Sequence, residues 1–312
     1  MQTNIWNESI QGYEWPTRLG NIMVKDEIVP RFNKEVLLKL AFNSSEESYF
    51  IITFLSIEYF NLGLLWVKHA IRAGVRRFAV AAVDTETAEK LHNLNIPHFK
   101  VELPPIILEM TFENNRGGFN GKAMALINSR TQIIKFLLES GVNVLLCDID
   151  AIIIKNPSST LNNGNEITFQ RVVYFPKPLA IIWGFTVCCG FVAFRASTEI
   201  VNLLDRVINI QKTVSSDQLA LNLALWEYNV EWALNRNSIE AEEMQISEFT
   251  ALASNSIFGR LPKTGIKLEA LPATTFWRHK FVSLDHNLIL VLHPNSPKSL
   301  QGKLDVFSQY LQ

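Results

Sequence analysis

The sequence predicts an α/β protein built on a parallel sheet. Strands and helices alternate with short connections over residues 51–101, and an almost wholly apolar run from 142 to 147 ends in Asp148-Ile149-Asp150. Hydrophobic residues are 48% of the chain and charged residues 19%, a balance that excludes a disordered chain. The 312 residues allow one large domain or two. No internal repeat or clear linker divides them. The expectation is one domain over 49–312, with residues 1–48 as an N-terminal extension packed on it.

The elements follow in order. Phe32, Val36, Leu37 and Leu40 lie at helical spacing in the extension, after a turn-rich opening with Trp6, Trp15 and Pro16. Residues 51–55 read as a buried strand, 59–73 as a helix closed by Gly74, and 77–84 as a second strand. A helix over 85–94 follows, with Thr85 expected as its N-cap, then a third strand at 98–101. Pro104, Pro105, Gly117, Gly118 and Gly121 give 104–121 the composition of a surface loop. Leu126, Ile127, Ile133, Ile134, Leu137 and Leu138 then mark the most regular helix, stopped by Gly141. Residues 142–150 read as a central strand covered on both faces. Strands at 166–172 and near 187–194, helices at 199–210 and 218–226, a strand at 288–292 and a helix at 303–311 complete the chain.

Lys and Arg number 29 against 30 Asp and Glu, which argues against nucleic-acid binding by bulk attraction. Three cysteines are too few for a disulfide scaffold and suggest a reducing compartment. Residues 178–194 carry no charge, but Pro178, Gly184 and Gly190 interrupt them, so two buried strands with a bend are expected rather than a membrane span. No secretory signal is visible, so Asn7 and Asn43, although in glycosylation sequons, mean little; a cytoplasmic location is the expectation.

The chemistry concentrates at Asp148 and Asp150. On a strand, residues i and i+2 project to one face, and two carboxylates at the carboxyl end of a parallel sheet sit where such folds bind ligands. Their repulsion calls for a cation, and oxygen ligands suit Mn²⁺ or Mg²⁺ completed by substrate phosphates. A solvated strand end is the plainer alternative. A haloacid-dehalogenase-type phosphatase would use Asp148 as nucleophile, but its turn-forming continuation is replaced here by apolar Ala151-Ile152-Ile153-Ile154, and no later Asp-Asp pair or Gly-Asp motif appears.

Residues 141–157, GVNVLLCDIDAIIIKNP, resemble the nucleotide-diphospho-sugar transferases that include rhamnogalacturonan xylosyltransferases and related α-galactosyltransferases. Further matches come in that family's order: Ala79 to Ala88, Cys189-Gly190-Phe191 through Arg195, Ser216-Asp217-Gln218 with Asn222, and His293-Pro294-Asn295 followed by Gly302-Lys303. The likeness spans about 51–312. Cys188 stands where the family usually has Asn, Ser56 where Asn commonly follows the first strand, and the segments 114–122 and 275–279 match nothing in the pattern.

The resemblance implies a GT-A type, Rossmann-like mixed and mainly parallel sheet flanked by helices. It implies a retaining transferase that moves a hexosyl or pentosyl group from a nucleotide sugar, with a UDP-sugar expected, to a hydroxyl of a glycan, protein, lipid or small metabolite. Asp148, Asp150 and His293 would hold Mn²⁺ or Mg²⁺; His293 is equally open to an ordinary packing role. Thr53, Asp84, Arg130, Asp148 and Lys303 would bind the donor. For Asp84 a helix cap, for Arg130 a surface ion pair, and for Lys303 or Lys298 simple solvation remain open readings. Asp217 and Gln218 would face the sugar, with Asp217 binding it or stabilising positive charge; a capping role for Asp217 is the other reading. The Gly-rich segment 114–121 is a candidate lid. A non-catalytic glycan- or protein-binding module on the same fold is the remaining functional alternative.

Overall fold

The computed structural model describes residues 29–42, 47–103, 121–214, 216–233, 254–280, 282–295 and 299–311. Strand β1 (Arg31–Phe32) and helix α1 (Lys34–Phe42) come first, and α1 buries Leu37 and Ala41. The expected alternation then appears as β2 (Phe50–Leu55), α2 (Phe60–Arg72), β3 (Phe78–Ala82), α3 (Thr85–Asn93) and β4 (His98–Glu102). Helix α4 (Gly121–Glu139) leads into β5 (Val144–Cys147) and the short β6 (Ile152–Ile153). Next are α5 (Ser158–Leu161), β7 (Ile167–Val172), α6 (Lys177–Trp183) and β8 (Thr186–Phe194). Helices α7 (Thr198–Gln211) and α8 (Asp217–Glu227) precede β9 (Glu231–Trp232), β10 (Ile257–Arg260), β11 (Lys267–Ala270), β12 (Phe276–Trp277) and β13 (Val291–Leu292). Helix α9 (Leu300–Tyr310) ends the described chain.

The main sheet runs β1-β4-β3-β2-β5-β8-β7-β11-β10-β9, and a second sheet runs β12-β13-β6. Strands β4, β3, β2 and β5 are mutually parallel, while β8 is antiparallel to both β5 and β7, so the sheet is mixed as expected. Every residue of β2, β3, β5, β7 and β8 is buried, which requires cover on both faces. Helices α4, α7 and α8 pack on one another, with α8 against β8, and α2 packs against β6 and α9.

Four sequence expectations need correction. Asp84, not Thr85, is the N-cap of α3: its side chain accepts from Thr87 N, and Thr85 is the first helical residue. Residues 178–194 are not two strands. Pro178 sits in the first turn of α6, Gly184 ends that helix in the left-handed conformation at φ 83°, and one strand follows. No helix among the described residues is long and apolar enough to cross a membrane. The central strand stops at Cys147, because Ala151 N bonds back to Asp148 O at 2.8 Å and turns the acidic pair off the strand. The strand expected at 288–292 shrinks to Val291–Leu292, since Leu288 N and Ile289 N both bond to Asp285 O in a turn. The opening with Trp6 and Trp15, the loop 104–120 and Lys298 lie outside the described residues.

Trp66 fastens the turn after β5 to the core. It is fully buried in α2, meets Phe78 edge to face at 5.8 Å, and donates from Nε1 to Ala151 O at 3.1 Å and towards Cys147 Sγ at 3.4 Å. Ala151 O also accepts from Cys147 Sγ at 3.2 Å, so loss of the indole N–H leaves that carbonyl one donor. Trp66→Phe is therefore expected to cost only about 1 kcal/mol, and Trp66→Ala about 3–5 kcal/mol through the cavity it leaves. Urea unfolding checks both; equal midpoints for the two variants would contradict this division between hydrogen bond and packing.

Candidate functional site

The carboxyl ends of β2, β3 and β5 lie side by side, and β2 has parallel neighbours on both flanks, β3 and β5. Such a reversal of strand order opens a crevice at the strand ends, where α/β sheets bind ligands. Asp148 leaves β5 at this edge. Its backbone N–H donates to Gly190 O at 2.8 Å, which ties the start of the turn to β8.

His293 reaches the same place from the far end of the chain. Strand β13 pairs antiparallel with β6, Leu292 opposite Ile152, so the residue after Leu292 falls beside the 148–151 turn. His293 N also donates to Trp277 O at 2.8 Å. One ligand atom each from Asp148, Asp150 and His293 then lies within 4.8 Å of the others. Helix α9, capped by the Ser299 hydroxyl accepting from Gly302 N, brings Lys303 onto Asp150 Oδ2. The carboxylate's other oxygen, Oδ1, is 3.5 Å from His293 Nε2.

Arg130, on α4, spans two acids. Its Nη1 donates to Asp148 Oδ1 at 2.8 Å, and its Nε and Nη2 pair with Asp217 Oδ2. Burial opposes the guanidinium charge, but Asp217 and Asp148 outweigh burial and hold the proton more tightly than usual. Burial likewise raises the Asp217 carboxyl, with Arg130 offsetting only part of the effect. For Asp150 the balance reverses: the His293 hydrogen bond and the Lys303 charge overcome burial and keep it well below the usual carboxylate range. His293 is lowered by burial and by Arg278, yet Asp150 and Cys188 prevail and its pKa lies above the ordinary value.

The other expected residues fall as follows. Asp217 is the first residue of α8, 6% exposed, and Ser216 rather than Asp217 is the N-cap. Gln218 donates from its amide to Phe175 O at 2.6 Å, and Asn222 bonds both ways to the backbone of Val187, at 2.9 and 3.0 Å. Asn222 thus clamps α8 to β8. Thr53 lies inside β2, opposite Val80, rather than at its end; its buried hydroxyl has no hydrogen-bond partner among the described residues. Asp84 accepts from Ile57 N at 3.0 Å and from Thr87 N at 2.8 Å, the capping role its position allowed.

Two residues at the site, Arg278 and Gln170, escaped the sequence reading, and Cys188, noted there only as a departure from the family pattern, joins them. Arg278 places Nη1 2.7 Å from His293 Nε2 and 2.8 Å from Nδ1. Gln170 Oε1 lies 2.7 Å from His293 Nδ1. Cys188 shares a hydrogen bond with His293, and its thiol is lowered by Arg278 and His293 against the opposing effect of burial. Neither Arg278 nor Gln170 carries a motif, and both are brought to His293 by the pairing of distant strands. Arg278 follows β12 directly, where a basic residue after two buried aromatics was the only available signal.

Solved structures are matched at low similarity. An active-site mutant of LgtC is 9% identical, with 83% of this chain and 95% of that one covered at a TM-score of 0.46. Mouse xyloside xylosyltransferase 1 is 9% identical, with 58% and 82% covered at 0.40. The bifunctional glycosyltransferase WbbM is 13% identical, with 58% of this chain covered at 0.41, and the match spans only 38% of WbbM. It spans 43% of GlyE from Streptococcus pneumoniae. No curated protein matches the sequence. The profile of the nucleotide-diphospho-sugar transferases, in contrast, matches residues 73–307, which is 235 of 312 residues. That stretch runs from the second parallel strand through the Asp148 turn and His293 to Lys303, and the chain belongs to the nucleotide-diphospho-sugar transferase family of glycosyltransferases.

Proposed function

We propose that the protein is a divalent-metal-dependent, retaining glycosyltransferase that moves a sugar from a UDP-sugar to a hydroxyl acceptor on a glycan, protein, lipid or small metabolite. The convergence of Asp148, Asp150 and His293 at the end of β5 carries this reading. Two carboxylates and an imidazole suit Mn²⁺, and Mg²⁺ less closely because of the nitrogen ligand. Gly190 supports the fit: a Cβ there would lie 2.5 Å from His293 Cε1 and 2.7 Å from Asp148 Oδ2, so the strand leaves these ligands room only by having no side chain. A bound metal would supply positive charge against the departing diphosphate.

The chain's own residues do the rest. Lys303 stands at the Asp150 carboxylate, within the site, as a flexible cation suited to the diphosphate. Arg130 holds Asp148 and Asp217 in fixed relation and presents its charge to the donor. Asp84, just past the end of β3, would border the base and ribose side, whereas Thr53 is buried within β2 and would support that wall from behind. Retention requires either a carboxylate nucleophile or front-face attack, with the leaving phosphate accepting the acceptor's proton. Asp217 is held by Arg130 and by Gln218 N at 2.7 Å, which favours sugar binding or charge stabilisation over covalent attack. The same engagement of Asp148 by Arg130 weighs against its use as a phosphatase nucleophile.

The reading predicts Mn²⁺-dependent release of UDP from at least one UDP-sugar, abolished by EDTA. Asp150→Asn should lower turnover by about 100-fold or more while leaving the protein folded. If a broad donor panel gives neither turnover nor binding and Asp150→Asn changes nothing, the enzyme reading fails; partner binding indifferent to donor and metal would favour a non-catalytic module. A second prediction concerns Arg130. Arg130→Met strands the buried carboxylate of Asp217 and the partly exposed one of Asp148, and should cost about 3 kcal/mol in urea unfolding. Arg130→Lys should recover only part of that, because one ammonium cannot reproduce the guanidinium fork; full recovery by lysine would contradict the bridging role.

A further inference from the structure

We infer that Gln170 is a positioning residue of the proposed metal centre: its amide fixes His293 as the Nδ1–H tautomer and leaves Nε2, the nitrogen facing Asp150, to coordinate the cation. The inference rests on the reading that Asp148, Asp150 and His293 hold a divalent metal.

The amide's own bonds set its orientation. Gln170 Nε2 donates to Phe276 O at 2.9 Å and to Trp277 O at 3.3 Å. A flipped amide would set its oxygen against those two carbonyl oxygens, with no donor in return. Oε1 is therefore the atom that faces His293 Nδ1 at 2.7 Å, and an amide oxygen only accepts. The proton consequently sits on Nδ1. Both side chains are buried, Gln170 1% and His293 3% exposed, so water does not compete for either group.

Arg278 by itself does not choose between the nitrogens, and it must give up Nε2 when the cation binds. Its Nη1 lies within 2.8 Å of both ring nitrogens, and a guanidinium only donates. With Nδ1 already donating to Gln170, the only lone pair left in the neutral ring is on Nε2. That nitrogen is 3.5 Å from Asp150 Oδ1, on the side where the metal ligands converge. Histidine ligands owe their tautomer and ring orientation to the partner of the other nitrogen. Here that partner is an amide carried by β7. Gln170 pairs with Cys188 in β8 and lies beside β12 and His293.

Calorimetry with Mn²⁺ in the presence of UDP tests this on the full chain. Gln170→Met, similar in length and without an acceptor, should weaken Mn²⁺ binding by about 10- to 100-fold, while UDP binding in EDTA stays unchanged. Wild-type binding that Asp150→Asn abolishes but Gln170→Met leaves intact would overturn the positioning role and spare the metal site. Absence of Mn²⁺ binding in the wild type would remove both. Should Gln170→Met fail to fold, ¹⁵N-resolved NMR of the wild-type His293 ring decides: a proton on Nδ1 with Mg²⁺ and UDP bound supports the inference, and a proton on Nε2 overturns it.

Discussion

Three carboxylates meet at the end of β5, and their mutual repulsion is the constraint that the surrounding structure answers. Asp148, Asp150 and Asp217 are each tied to a basic side chain: Arg130 serves the first and third, and Lys303 the second. Leaving one buried charge without its partner costs several kcal/mol. The compensation is drawn from α4 and from the C-terminal α9, Lys303 standing 153 positions from Asp150. None of these pairs can form locally. The site therefore belongs to the completed fold, and no short segment of the chain contains it.

Backbone spacing is the second part of the answer. Strand β8 runs antiparallel between β5 and β7 and hands Gly190 O to Asp148 N, so the acidic turn begins at a fixed hydrogen bond. Closeness here demands glycine, because His293 and Asp148 occupy the space a Cβ would take. Three residues of β8, at 189–191, are passed over by β7 where its register jumps from Val192 to Cys188. Next to this bulge Gln170 pairs with Cys188, and its amide meets His293.

Much of this was legible in the sequence, for physical reasons that differ between elements. The β2–β4 alternation was readable because apolar runs, helical periodicity and Gly74 punctuate it locally. Asp148 and Asp150 stood out because two acids after an apolar strand are costly without a purpose, and Arg130, Asp217, His293 and Lys303 do gather around them. Where the acidic pair leaves the strand was not readable: the bond from Ala151 N to Asp148 O competes with continued pairing, and composition does not reveal the winner. Gln170 and Arg278 were invisible because their meaning lies in His293, 123 and 15 positions away, reached through pairing register. The apolar stretch at 178–194 misled because Lys177-Pro178 makes a helix start, and Pro at the first turn favours what its presence elsewhere would forbid.

The balance of charge also constrains how ligands enter. Among the described residues Arg130 and Lys303 pair with Asp148, Asp150 and Asp217 while Arg278 lies against His293, so with a neutral, ligating His293 the formal charges of this group sum to zero. A divalent cation alone would leave a buried excess of positive charge, and a doubly charged nucleotide sugar alone an excess of negative charge. Entering together, they leave the sum where it was. Low-dielectric surroundings make that difference large, because the penalty for an uncompensated charge grows as water is excluded. On the proposed function, then, metal and donor reinforce each other's binding through the site's own neutrality, with Lys303 the cation best able to move from Asp150 to the arriving diphosphate on its flexible stem.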